Sequence, residues 1–118
     1  MTGPVPASLG SGVASYRCFL FADLRGYTTF TERLGDAAAA ELIAEYRGFM
    51  RAQIAKAAGA EIRTEGDSFF VTFESAAEAL RCAIGMLREA ALRSAARPER
   101  PIEIGIGLHA GEPVRRDD

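Results

Sequence analysis

The sequence lacks several features that would assign it at once to a class of protein. It has no apolar run of 18 residues, which predicts that it contains no membrane-spanning helix. Its 14 basic and 16 acidic residues give a net charge of −2, so it lacks the basic surface typical of nucleic-acid-binding domains. Residues 1–15 have neither the basic start nor the apolar core of a secretory signal. We therefore expect a cytoplasmic protein that binds no nucleic acid.

Residue types that commonly form disulfides or metal sites are also scarce. The two cysteines, Cys18 and Cys82, have apolar neighbours and show no CxxC or Cys/His spacing. We expect both to be buried free thiols, because an unpaired cysteine behaves as a small hydrophobic residue. The single histidine, His109, has no second histidine or cysteine nearby, which favours a structural or exposed role over a catalytic one.

What the sequence does contain is typical of one globular domain. It has 118 residues, of which 48% are hydrophobic and 25% are charged, enough to bury a single core. Residues 1–15 are rich in proline, glycine, serine and threonine, and this composition predicts a flexible leader. We expect residues 16–118 to form the folded domain.

Apolar patterns predict a strand followed by two helices in the first half of this domain. The nearly continuous apolar run at 16–22 is typical of a central strand that is buried on both faces. Thr29 and Glu32 have the spacing of a capping box, which predicts a short helix to about residue 34. Asp36 is placed to cap a longer helix to about residue 58, and Gly59 to end it.

The second half of the domain predicts a hairpin, a helix and a last strand. Two strands, at 60–65 and 68–73, flank a Gly66-Asp67 turn. Ser75 and Glu78 form a second capping box, and the final strand covers 102–108. The helix that follows Ser75 has apolar residues at helical spacing, and we expect these to face the core: Ala76, Leu80, Ala83, Ile84, Leu87 and Ala91.

This βααββαβ order is typical of an α+β, ferredoxin-like fold, in which helices cover one face of an antiparallel sheet. In that topology the end of the first strand lies beside the start of the third, which brings Asp23 and Asp67 to one rim. Two carboxylates suit Mg²⁺ or Mn²⁺, and the glycine turn at Gly26, leading to a helix N-terminus, suits a phosphate. Taken singly, each acid has an ordinary interpretation: Asp23 as a strand-end or helix-capping residue, Asp67 as a turn residue.

Three stretches resemble the class III adenylate and guanylate cyclases. Residues 21–28 (FADLRGYT) are similar to the first metal motif of the family, and residues 64–69 (TEGDSF) to the second. Residues 105–112 (GIGLHAGE) are similar to a later strand motif. The three occur in the family's order and at suitable spacing, and the likeness covers about residues 16–114.

The resemblance implies a reaction and a set of binding residues. Asp23, Asp67 and the carbonyl of Leu24 would hold two Mg²⁺ or Mn²⁺ ions, one of which activates the ribose 3′-hydroxyl for attack on the α-phosphorus. ATP would be converted to cyclic AMP and pyrophosphate. The residues that would bind the substrate are Leu24, Arg25, Gly26, Tyr27 and Thr28 in the first motif, with Gly66 in the second and Arg63 before it.

The chain also departs from the family's pattern. Arg63 stands where adenylate cyclases commonly carry a lysine that reads the base, so the resemblance leaves ATP and GTP open. Family members continue with an Asn-x-x-x-Arg pattern that acts from a second subunit, whereas this chain has no asparagine. We therefore expect the N-terminal portion of an incomplete cyclase fold, working as a homodimer or with a cyclase partner domain, and inactive by itself.

Two other interpretations remain open from the sequence. The chain is also consistent with a catalytically dead cyclase-homology domain that binds nucleotide, or dimerises, to regulate another protein. A ferredoxin-like binding or dimerisation module, in which the acids are incidental, is the third. Diguanylate cyclases share the general fold, but their Gly-Gly-Asp/Glu-Glu-Phe signature does not occur in the sequence.

Overall fold

The computed structural model describes residues 17–111, so the predicted leader lies outside the described part of the chain. The elements in order are β1 (Arg17–Leu24), α1 (Tyr27–Lys56), β2 (Ala60–Glu65), β3 (Ser68–Phe73), α2 (Ala76–Ala96) and β4 (Ile104–Gly111). This order confirms the predicted α+β class, with the two predicted N-terminal helices joined into α1 across a break at Gly35. Neither helix in this part of the chain is long and apolar enough to cross a membrane.

The four strands form one sheet in the order β2-β3-β1-β4, and every neighbouring pair is antiparallel. This is the ferredoxin-like arrangement that the element order predicts. Alternate residues of β1 and β3 point to the helices and form the core with them: Cys18, Leu20, Ala22, Leu24, Phe69, Val71 and Phe73. We call this side of the sheet the helix side. Both cysteines are free and buried, as predicted.

The opposite face of the sheet, here called the open face, is not covered by either helix. Phe21 is 56% exposed there and stacks on Phe70, with ring centroids 4.4 Å apart. Phe19 stacks on Phe70 at 5.8 Å and on His109 at 6.4 Å. His109 is exposed on β4, which is one of the two positions predicted for it. An aromatic row therefore crosses three strands of the open face.

The start of α1 differs from the prediction. The helix begins at Tyr27, and Gly26 occupies the capping position with φ 71°. No side chain caps it, so the predicted capping box of Thr29 and Glu32 is wrong. Glycine adopts this left-handed conformation without a steric penalty, which lets the chain turn into a helix directly after β1. The break at Gly35 comes one residue before the predicted second start at Asp36.

The end of α1 also differs from the prediction, because the residue in the left-handed conformation is not Gly59. That residue is Ala58, with φ 57°, while the amide of Gly59 donates to the carbonyl of Ile54 at 3.0 Å. The requirement for glycine at 59 comes from packing instead. A Cβ placed there would lie 2.6 Å from the ring of Phe73 and 3.0 Å from Val71. Glycine is therefore required at 59 because its backbone lies close to the core, and not because it caps the helix.

The hairpin of β2 and β3 has the bounds that the sequence predicts, with Gly66 at φ 58° in its turn. Its ladder contains a bulge: Glu61 pairs with Val71 and Arg63 pairs with Phe70, which leaves Ile62 as an extra residue. Glu61 therefore lies on the helix side and Arg63 on the open face. Regular alternation would have placed these two side chains on the same face.

Helix α2 begins as predicted but buries a different face. The Ser75 hydroxyl accepts from the amide of Glu78 at 3.1 Å. The predicted core residues Leu80, Ile84 and Leu87 are 52%, 40% and 50% exposed, so that prediction is wrong. The buried residues are mostly small: Ala79, Cys82, Ala83, Met86 and Ala90. Small side chains allow the helix axis to come close to the sheet and to α1, and this excludes the larger residues.

The last strand lies slightly later in the chain than predicted. Ile102 is buried but precedes β4, which begins at Ile104 and continues to Gly111. Ile104 and Ile106 are half-buried against the core, whereas Leu108 is 43% exposed. The predicted alternation of faces continues along the strand, since Leu108 pairs with Leu20, but only the first half of that face is covered by the core.

An ion-pair network joins α1, α2 and the loop before β4. The Glu45 carboxylate accepts from Arg93 at 2.8 Å and also from Arg100, whose side chain is buried. Burial by itself would raise the pKa of Glu45, but the hydrogen bonds and charges of the two arginines outweigh it and lower that pKa. The charged form of Glu45 therefore stabilises this packing.

Candidate functional site

The structure places Asp23 and Asp67 at the same rim of the sheet. Asp23 is the seventh residue of β1, and Asp67 lies in the turn that leads into β3. The Asp67 carboxylate accepts from the amide of Leu24 at 3.2 Å, which extends the β1–β3 ladder beyond the last backbone pair. The meeting of these acids is therefore a consequence of the strand order, as the topology predicts.

Arg25 is the immediate neighbour of the Asp23 carboxylate. Its Nε lies 3.2 Å from Asp23 Oδ1, and both side chains are more than half exposed. The guanidinium also lies over Gly105 on the adjacent strand, where a Cβ would be 2.2 Å from Nε. The amide of Arg25 donates to the carbonyl of Glu103 at 2.8 Å, which fixes the backbone of this turn. Glycine at 105 therefore makes room for the cation beside Asp23.

An open cleft of about 310 Å³ adjoins this rim. Its lining includes Phe21, Asp23, Arg25 and Ser68, with Gly105 and Gly107 of β4. No atom lies within 4 Å of the position that a Cβ on Gly107 would take. The surface of β4 is therefore free at Gly107, while the guanidinium of Arg25 occupies the space beside Gly105. This shape suits a flat or elongated polar ligand.

The turn after Asp23 leads directly into the N-terminus of α1. The first helical bond runs from the amide of Phe30 to the carbonyl of Gly26, at 2.9 Å. The amides of Tyr27 and Thr28 precede that bond, and such amides attract anions. Tyr27 packs partly against the core, whereas Thr28 is exposed. The predicted phosphate-binding segment is thus the start of a helix that adjoins the paired acids.

Helix α1 also holds the turn that carries Asp67. The buried hydroxyl of Tyr46 donates to the carbonyl of Asp67 at 2.7 Å. The Nε of Arg47 donates to the carbonyl of Gly66 at 3.1 Å. Burial, followed by the charges of Asp67 and Asp23, raises the pKa of Tyr46, so its hydroxyl stays protonated and donating. Neither Tyr46 nor Arg47 is among the site residues that the sequence predicts.

Arg63 occupies a different place from the paired acids. It is exposed on β2, the edge strand, opposite Phe70, which in turn pairs with Phe21 of β1. It therefore shares the open face with Phe21, but it is not among the residues that line the cleft at Asp23. The structure brings together Asp23, Leu24, Arg25, Gly26 and the Gly66-Asp67 turn, and leaves Arg63 at the far edge of the sheet.

The donors at the rim are of the kind that hard cations prefer. Carboxylates and backbone carbonyls suit Mg²⁺ and Mn²⁺, and such ions commonly take one or two protein carboxylates together with substrate phosphates. Within residues 17–111 no group of three or more His, Cys, Asp or Glu side chains is placed to hold a metal ion. The paired acids thus fit a metal that shares its ligands with a nucleotide, and do not fit a self-contained protein cage.

Several residues of the site were not predicted from the sequence. Phe21 and Ser68 line the cleft, and Gly105 and Gly107 open it. The glycines carried a usable signal, because they alternate with Ile104 and Ile106 and so had to share one face of a strand. The sequence carries no comparable signal for the contact between Tyr46 and the carbonyl of Asp67, which links a helix to a turn 21 residues away.

Two acids and a helix N-terminus thus lie at one rim of a ferredoxin-like sheet. The model of the adenylate and guanylate cyclase catalytic domain family matches residues 14–116. The chain belongs to this family. No curated protein sequence matches it.

Solved structures of cyclases are similar to the chain in fold. The adenylyl cyclase CyaB from P. aeruginosa is 25% identical with a TM-score of 0.72, over 85% of this chain and 58% of that one. The guanylyl cyclase Cya2 is 30% identical with a TM-score of 0.68, over 86% of this chain and 56% of that one. A bacterial light-regulated adenylyl cyclase shares the fold at 23% identity and a TM-score of 0.75. The chain thus spans little more than half the length of these relatives.

Proposed function

We propose that the chain supplies the metal- and phosphate-binding part of a class III nucleotidyl cyclase that converts ATP to cyclic AMP and pyrophosphate. The observation that carries this proposal is the bond from the Leu24 amide to the Asp67 carboxylate at 3.2 Å. That bond holds Asp67 at the rim where Asp23 is the last residue but one of the central strand. The rim adjoins the free amides at the start of α1, so acids for metals and donors for phosphates occur together.

Each part of the site has a separate task in this proposal. Asp23, Asp67 and the carbonyl of Leu24 would hold two Mg²⁺ or Mn²⁺ ions. Such ions make a ribose hydroxyl more acidic and neutralise the charge on a triphosphate. The backbone from Gly26 to Thr28 orients the phosphates, and the exposed guanidinium of Arg25 is placed to exchange the Asp23 carboxylate for a phosphate oxygen. Gly66 keeps the second acid close by allowing its tight turn.

Base selection and the transition state require groups outside this rim. Arg63 lies at the edge of the open face, so its proposed role as a base reader requires a ligand that spans the sheet or a partner that covers it. The 118 residues contain no asparagine, and the Asn-x-x-x-Arg pattern of the family is therefore absent from them. We propose ATP as substrate, with GTP as the alternative, and a cyclase partner domain or a homodimer as the assembly.

Calorimetric titration of the purified chain with Mn²⁺ and a non-hydrolysable ATP analogue tests the binding part of the proposal. We expect saturable, metal-dependent binding that is lost in Asp23→Asn and in Asp67→Asn, because both changes remove a charge that a metal needs. Asp36→Asn, which removes a charge from α1 beyond the break, is the matched control and should bind normally. Binding that survives both site variants would show that the metal assignment is wrong.

A regulatory, catalytically dead domain that binds nucleotide is the second candidate. Complementation distinguishes the two. The chain is mixed with a complete cyclase domain whose own metal-binding aspartates have been replaced, but whose Asn-x-x-x-Arg segment is intact. Cyclic nucleotide formed only in the mixture, and only with Asp23 and Asp67 present, supports a catalytic part. Nucleotide binding without product in any mixture supports the regulatory domain.

A further inference from the structure

Asp67 lies in a hairpin turn, and turns in general move more than the strands that they join. A metal ligand needs a fixed position, since a shift of about 1 Å at a catalytic group lowers the rate by a large factor. The strand that follows Asp67 holds it from one side only. The turn residue Gly66 is exposed, and no atom lies within 4 Å of the position that a Cβ there would occupy. Some other part of the structure has to restrain the turn.

Two consecutive residues of α1 provide this restraint. The Tyr46 hydroxyl, which is fully buried, donates to the Asp67 carbonyl at 2.7 Å. Arg47 donates from Nε at 3.1 Å, and also from its terminal nitrogen, to the Gly66 carbonyl. The two peptide carbonyls that flank the Cα of Asp67 are thus each bound by a side chain of α1. We call these two contacts the turn clamp.

The ring of Tyr46 is itself held tightly. It packs edge-on against Phe49 at 6.0 Å and against Phe69 at 5.7 Å. A side chain fixed by aromatic neighbours on both sides loses little entropy when its hydroxyl forms a bond, so the bond can define a position accurately. Through the turn clamp, a side chain that the core holds in place therefore fixes the peptide that carries Asp67.

We infer that Tyr46 and Arg47 are positioning residues that hold Asp67 at the metal-binding rim. Neither side chain lines the cleft, so they act through the backbone of the turn and contact no substrate. The metal part of this inference rests on the proposed function. The geometric part, which concerns where the Asp67 carboxylate lies, does not.

The geometric part is tested with Tyr46→Phe, which removes the hydroxyl and keeps the ring. The readout is hydrogen exchange of the Leu24 amide by NMR, since that amide donates to the Asp67 carboxylate. The loss of one hydrogen bond should speed its exchange about two- to tenfold. The neighbouring Arg25 amide donates to Glu103, independently of the turn, and serves as the internal reference. Its exchange should change less.

The metal part is tested by measuring Mn²⁺ binding with electron paramagnetic resonance, both for Mn²⁺ alone and for Mn²⁺ with the non-hydrolysable ATP analogue. Tyr46→Phe and Arg47→Met should each weaken Mn²⁺ binding, by about tenfold for the tyrosine variant, as is typical when the group that orients a ligand is lost. Arg51→Met is the matched control, because it removes the same charge from α1, and the contacts of Arg51 are with Glu61 and with the ring of Phe69 and not with the carbonyls of the turn. Ile54→Val controls for lost stability.

The outcomes distinguish a failure of the proposed function from a failure of the inferred turn clamp. If the wild-type chain binds Mn²⁺ neither alone nor with the ATP analogue, the proposed function fails, while the exchange measurement still decides whether the turn clamp positions Asp67. If the exchange rates of the Leu24 and Arg25 amides rise by the same factor in Tyr46→Phe, Tyr46 is only a core residue and the inference is wrong. The same conclusion follows if neither rate changes. Mn²⁺ binding that falls equally in Ile54→Val would overturn the metal part.

Discussion

Replacing Arg25 with methionine should change the binding of metal and of nucleotide in opposite directions. In the structure the guanidinium of Arg25 pairs with the Asp23 carboxylate at 3.2 Å, where the two side chains are 65% and 52% exposed. A metal that binds Asp23 must displace this internal cation. A bound triphosphate, in contrast, would offer the same guanidinium a new partner. Methionine keeps most of the length of the side chain and removes the charge.

The magnitudes follow from the exposure of the pair. An exposed ion pair is worth about 0.2–1 kcal/mol, so its loss should tighten the binding of Mn²⁺ alone by a factor of roughly 1.4 to 5. A hydrogen bond to a charged group is worth about 1.5–3 kcal/mol, so the binding of the Mn²⁺–ATP complex should weaken by about tenfold or more. This single substitution should therefore strengthen the binding of Mn²⁺ alone and weaken the binding of the Mn²⁺–ATP complex.

The assay is calorimetry at low ionic strength, because salt screens exposed charges. Mn²⁺ alone and the Mn²⁺ complex of a non-hydrolysable ATP analogue are titrated into wild type, Arg25→Met and Arg81→Met. Arg81 is exposed on α2 and lies with Lys56 at the far end of α1, so its variant should match wild type in both titrations. The reasoning is refuted if Arg25→Met weakens both affinities, or if it leaves the affinity for Mn²⁺ alone unchanged.

Three further predictions concern stability and reactivity. Gly59→Ala should cost about 1–3 kcal/mol in urea unfolding by overpacking the core, whereas Gly48→Ala, in an open and exposed position of α1, should add about 0.5–1 kcal/mol. Because the pKa of Glu45 is lowered from 4.5 in the folded chain, its charge stabilises the fold above pH 4.5 and less as the pH falls below that value. The stability gap between wild type and Glu45→Gln should therefore narrow in acid. Burial raises the pKa of the Cys82 thiol to about 11, so at pH 8 it should react with a thiol reagent only after unfolding, as should the buried Cys18.

The sequence predicts the order of elements and the paired acids because both depend on short-range patterns. The bounds of the hairpin follow from alternation on either side of Gly66 and Asp67, and the structure confirms them. Once the order of strands is known, Asp23 must lie near Asp67, because the end of one antiparallel strand lies beside the start of its neighbour. This part of the site requires no knowledge of side-chain packing.

The errors occur where packing decides between two acceptable local choices. On α2 the leucines and the alanines form overlapping apolar stripes, and only the closeness of the sheet excludes Leu80 and Leu87 from the core. At the start of α1, a capping box at Thr29 competes with a left-handed turn at Gly26, and the short distance after β1 favours the glycine. The clamp from Tyr46 joins elements that no local pattern connects.

The extra residue in β2 decides which side of the sheet a charge occupies. A strand of the same length with a regular ladder would place Arg63 opposite Phe69, inside the core and away from the cleft. With Ile62 bulged out, Arg63 instead pairs with Phe70 on the face that carries the aromatic row. A deletion of Ile62 would leave Glu61 opposite Val71 and Arg63 opposite Phe70 in a regular ladder. The number of residues in β2, more than their type, therefore decides which face of the sheet each side chain occupies.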